Sequence, residues 1–234
     1  MVTASTWAIP LLGMRRDLED WKDALPSGGD PWVEIMGVEV VLRSASFDGL
    51  VEERIWTRAQ RVIRLARGAV AALGAYTEIG FNEVLQLLPD EPEPRRTTQI
   101  GDGSRSSRRD MFRSLGGGKR LGAANAPSLP QRWIGAASRD EDLADALTLL
   151  AGDLDWYDIY KLVECLEHKY GGEHKLLAMK WLPEGTKKLK KEANYRRHRR
   201  RLSDKRLPAL TLRQGQKQIE ELVRLALEDE TSKR

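Results

Sequence analysis

The sequence predicts an α+β protein: a mixed α/β N-terminal domain with antiparallel strands over residues 1–113, then a C-terminal helical bundle over residues 133–234. Short β-branched runs broken by Gly and Pro fill the first ninety residues, as strands and tight turns require. After Trp133 apolar residues recur every three or four positions, the helical period. Between them, residues 114–132 form a Gly/Ser/Pro-rich stretch that reads as a linker. Apolar residues make up 41% of the chain and seven are Trp, enough to pack a core at this length.

Trp7 to Leu12 is a short apolar run read as a strand. Asp17 to Leu25 has the acidic first turn of a helix and is stopped by Pro26 and SGGD. In PWVEIMGVEVVLRSASF, β-branched residues flank Gly37, which predicts a hairpin turning near Met36–Gly37. Val51 to Leu73 is the longest helical pattern of this half. Arg54, Arg58, Arg61, Arg64 and Arg67 form a basic stripe along it, either a solvated face or one that meets phosphates. Glu78 to Leu88 reads as a strand halted by PDEPEP, and a further hairpin is expected around Asp102–Gly103.

In the second half, Ser138 is expected to cap a helix running to about Leu150, and Asp155 the next, which Gly171–Gly172 ends. Glu173 to Trp181 gives a short helix, and Lys187 to about Leu202 a basic one. Thr211 caps a final amphipathic helix, making five helices in all.

The charge is unevenly placed. Lys187 to Arg206 holds eleven Lys or Arg against Glu192 and Asp204, a local +9 in a chain of net +4, so the rest sums to −5. Such a cluster repels itself unless a polyanion sits against it. Lys187, Lys188, Lys190, Lys191, Arg196, Arg197, Arg199, Arg200, Arg201, Lys205 and Arg206 are the candidate phosphate contacts, and Tyr195 among them can stack on a base.

Other chemistry is poorly supplied. In GGGKR, Arg113 and Arg120 stand where a Walker loop needs Gly and Ser/Thr. Cys165, His168 and His174 spell C-x2-H-x5-H with nothing to complete a zinc set, so no metal or cofactor is expected. No G-x-S-x-G occurs. Cys165, the only cysteine, fits a helix's apolar side, and its solitude suggests a reducing, cytoplasmic setting. No window reaches a membrane span, and the first residues read as the start of a fold rather than a signal peptide.

Asn194 and His198 lie at i and i+4 inside the basic helix, with Arg197 just before the histidine. This placement resembles the HEPN family, helical-bundle domains of bacterial toxins and antiviral ribonucleases. Their signature is an Arg separated from a His by four to six residues, often followed by Asn. Here Ala193 holds the Arg position and Lys191 is the only basic residue in the window. The resemblance implies that His198, Asn194 and Arg197 are the catalytic candidates of a metal-independent ribonuclease, and it favours RNA over DNA. The whole chain also resembles an uncharacterised bacterial family through W-x-I-P-L-x-G, D-L-E-x-W, L-R-S-x-x-F-D, W-Y-D-I-Y-K-x-x-E and the Asn194–His198 segment followed by L-T-L.

The expectation from the sequence is thus a nucleic-acid-binding protein, RNA before DNA, of a defence or toxin type. The alternatives are a HEPN-like endoribonuclease using His198 and a non-catalytic interaction or regulatory subunit. The expected partners are nucleic acid, a protein on the N-terminal domain and a second copy in a homodimer, with no membrane.

Overall fold

The computed structural model describes residues 7–88, 91, 93–98, 126–198 and 210–233. Strands β1 (Trp7–Pro10), β2 (Trp32–Met36), β3 (Glu39–Arg43), β4 (Glu83–Gln86) and β5 (Arg95–Thr98) form one antiparallel sheet in the order β2-β3-β1-β4-β5. β2 and β3 make the expected hairpin: Met36 pairs with Glu39 across Gly37–Val38, and Gly37 takes a φ of +63° that costs glycine nothing. Trp7, Ile9, Val33, Leu42 and Val84 enter the main core, while Ala8, Val41 and Leu85 form a small cluster of their own. This is the period-two alternation of a sheet.

Helices α1 (Arg15–Ala24) and α2 (Glu52–Ala71) belong to the same half. Trp21 of α1 is fully buried, and its indole N–H donates to Thr77 Oγ1 at 2.8 Å. The helical half contains α3 (Leu129–Ala137), α4 (Glu141–Leu150), α5 (Trp156–Tyr170), α6 (Glu173–Leu177), α7 (Thr186–Arg197) and α8 (Leu212–Ser232). The α+β class is therefore seen directly, with eight α-helices and five strands among the described residues. No helix among them is long and apolar enough to cross a membrane.

Asp155 and Thr211 cap α5 and α8 as expected, each with a capping box, and Gly171 ends α5 at a φ of +77°. β4 is shorter than the strand expected over Glu78 to Leu88, and four details of the helical half differ. Six helices follow the strands, not five, because α3 begins at Leu129 inside the expected linker. Its signal is the S-x-x-Q box of Ser128 and Gln131 with Pro130 in the first turn. Asp140, not Ser138, caps α4: its carboxylate accepts from Leu143 N at 3.0 Å, while Ser138 bonds back to Ile134 O. The basic helix ends at Arg197 with His198 as C-cap, not at Leu202. α6 stops at Leu177, short of Trp181. The expected hairpin at Asp102–Gly103 and most of the linker lie outside the described residues.

One continuous core runs from Trp7 to Leu227. α2 packs against both α3 and α4. A Cβ on Gly68 would stand 2.0 Å from the Leu147 carbonyl oxygen, so the α2–α4 crossing is close enough that only glycine fits. α5 is the hub of the bundle, touching α4, α6, α7 and α8.

Candidate nucleic-acid interface

α7 is held by a narrow buried stripe, Thr186, Leu189 and Ala193, seated in the core. That spacing fixes which basic residues face outward. Lys187, Lys188 and Lys191 are exposed and form no ion pair with a described residue. Lys190 turns toward α5 and α6, where its ammonium meets Glu167 at 2.7 Å and Glu173 at 2.8 Å. Burial disfavours its charge, but the two glutamates win and raise its pKa. Arg196 pairs with Glu192 at 3.0 Å and sits 5.9 Å from the Trp156 ring.

Arg197 is placed differently. Its guanidinium lies 3.6 Å from the Tyr160 ring centroid, and its Nε donates to Asn194 Oδ1 at 3.0 Å. Close guanidinium–ring stacking of this kind is attractive through the ring quadrupole. Tyr157, 53% exposed, is the next aromatic on α5, with the Lys161 ammonium 5.9 Å from its ring. Lys161 pairs with Glu164 at 2.7 Å. Burial pushes the Glu164 carboxyl up, yet hydrogen bonds from Lys161 and Tyr160 hold it below the ordinary glutamate range. Burial and that same carboxylate raise the Tyr160 hydroxyl, so it stays protonated. The α5–α7 face thus alternates aromatic planes with cations.

The three catalytic candidates share this end of α7. Asn194 is exposed and holds Arg197. His198 is exposed and bonds to no described side chain. The hollow bounded by Glu164, His168 and Glu173 includes neither of them, nor does the hollow at the tip of the β2–β3 hairpin. Tyr195 is half-buried. Arg199, Arg200, Arg201, Lys205 and Arg206 lie outside the described residues.

The sequence alone assigns Trp156, Tyr157, Tyr160 and Lys161 no binding role. The signal was three aromatic residues, Trp156, Tyr157 and Tyr160, crowding the first turns of α5 around the start of the Ile159, Leu162, Val163, Leu166 core stripe. Elsewhere, burial among acidic neighbours pushes the Cys165 thiol up to about 11, so it is no thiolate near neutrality. His168 turns its Nδ1 to Asp142, 2.8 Å from both carboxylate oxygens. Among the described residues no three His, Cys, Asp or Glu gather as a metal site would need. Comparison of the chain with protein families, curated proteins and solved structures found no match.

Proposed function

We propose that the chain is a nucleic-acid-binding protein that takes single-stranded RNA on the α5–α7 face. The carrying observation is Arg197 lying on Tyr160, 3.6 Å from the ring centroid, at the end of a helix whose Lys187, Lys188 and Lys191 are exposed and form no ion pair with a described residue. Unpaired lysines supply counterion release, the sequence-independent part of affinity. Aromatic and guanidinium planes supply stacking for unpaired bases, which duplexes do not offer. The test is fluorescence anisotropy of labelled oligouridylate with the wild type, the Lys187→Gln/Lys188→Gln/Lys191→Gln variant and Tyr160→Ala. Both variants should bind more weakly, the first with a shallower salt dependence and the second with that of the wild type.

A second reading keeps His198 as the catalytic group of a metal-independent ribonuclease. It rests on His198 and Asn194 both being exposed one turn apart. Against it stands Ala193, fully buried in the stripe that seats α7. An arginine there would drive a cation into the core, so Arg197 would have to neutralise the developing charge instead. Incubation of RNA with the wild type and His198→Ala decides: equal cleavage, or none, removes His198 from the active-site residues.

A further inference from the structure

Helix α2 carries a second concentration of positive charge. Arg54, Arg58, Arg61 and Arg64 are all exposed, and none makes an ion pair or hydrogen bond with a described residue. Arg67, the last of the row, turns inward and donates to the Ala151 carbonyl at 3.4 Å. The buried face of the same helix is Ile55, Ala59, Val62, Ile63, Ala66 and Ala69, so packing fixes the four arginines on the outward side.

Elsewhere in the protein an arginine commonly has a glutamate one turn away: Arg15 with Glu19, Arg95 with Glu91, Arg196 with Glu192, Arg224 with Glu228. On α2 the neighbours one turn from each arginine are other arginines or uncharged residues. The only acids on the helix, Glu52 and Glu53, are in its first turn and face Trp56 and Thr57 at i+4. Like charges at i,i+3 and i,i+4 repel, and no described residue forms an ion pair with them. At a rise of about 1.5 Å per residue the row covers roughly 15 Å, a length along which a nucleic-acid strand presents several phosphates. Arginine forks match phosphate oxygens in pairs. No aromatic side chain interrupts the row: Trp56 is instead stacked on Phe81, centroids 5.6 Å apart. The surface is therefore suited to a backbone and not to bases.

We propose that the α2 arginine row is a second nucleic-acid surface, gripping the phosphate backbone of an RNA strand whose bases engage the α5–α7 face. It rests on the RNA reading for its ligand, but on separate residues. α2 packs on α3 and α4, and α7 on α5 and α8, so α4 and α5 stand between the two faces. A strand that meets both wraps the bundle.

The experiment is anisotropy of fluorescein-labelled oligouridylate across a salt series with three proteins: wild type, Arg54→Gln/Arg58→Gln/Arg61→Gln/Arg64→Gln, and the α7 lysine variant. The α2 variant should lose affinity about tenfold or more, and its log–log salt slope should be shallower by about 3, at about 0.7 per phosphate contact on a single strand. It should also melt no lower than wild type, because like-charge repulsion has been removed. Unchanged affinity and slope in a folded α2 variant overturn the proposal, and leave the α5–α7 reading standing if the α7 variant is weakened. Weakening in both variants sustains the proposal, whereas loss of binding in the α2 variant alone removes the α7 reading and overturns the strand that meets both faces. No binding by wild type overturns both.

Discussion

The Lys190 ammonium stands between two carboxylates, 2.7 Å from Glu167 on α5 and 2.8 Å from Glu173 on α6. The basic helix is thus divided between a lysine that binds the protein to itself and Lys187, Lys188 and Lys191, which form no ion pair with a described residue. Lys190→Ala removes the cation from two carboxylates that then face one another. The expected loss is about 1 kcal/mol, held to that level because Glu173 is 46% exposed. The Lys187, Lys188 and Lys191 substitutions should each cost less than about 0.5 kcal/mol. Urea denaturation of the four single variants checks the division.

Among the described glycines, Gly68 has the least room for a side chain. A methyl there would fall 2.0 Å from the Leu147 carbonyl oxygen, backbone that cannot yield without moving α4. Gly68→Ala should destabilise by about 3 kcal/mol, the upper range of overpacking, despite alanine's better helix propensity. A thermal melt showing no loss would mean that α2 and α4 do not cross this closely.

Gln131 ties the first helix of the bundle to the sheet half. Its amide Nε2 donates to Pro26 O at 2.6 Å and Pro31 O at 2.7 Å, and its Oε1 accepts from Ser128 N at 2.8 Å. Gln131→Leu keeps the volume and strips all three bonds from a residue only 2% exposed. Leaving these groups unsatisfied should cost about 2–4 kcal/mol, readable as a lower urea midpoint with an unchanged slope.

His168 gives a pH signature. Hydrogen bonding and charge from Asp142 raise its pKa above the ordinary imidazole value. A group whose folded pKa is raised adds stability that is full below its unfolded pKa, about 6.5, and is lost as pH rises through the folded pKa. Histidine titration by NMR should place the His168 midpoint above that of a free imidazole. Asp142→Asn should return it and flatten the pH dependence of stability in the same window.

The hairpin at Gly37, the Asp155 and Thr211 caps and the Gly171 stop were legible because each is decided by neighbours in sequence. Helix α3 was missed where composition was allowed to outweigh the Ser128–Gln131 box; local capping wins because Trp133 and Ile134 bury that helix in the core. The pairing of Arg197 with Tyr160 was not legible at all, since it depends on how α7 lies on α5. Ala193 looked like a gap in a motif. In the fold it is the small residue, 0% exposed, that lets α7 seat.

Binding of labelled single-stranded RNA and duplex DNA to the wild-type chain over a salt series tests the nucleic-acid reading most directly. Three α7 lysines with no ion pair among the described residues alone imply a log–log slope of about −2 or steeper on a single strand, with RNA bound more tightly than duplex because Tyr160 and Tyr157 can stack only on unpaired bases. A flat salt response, or no binding of either nucleic acid, would contradict it.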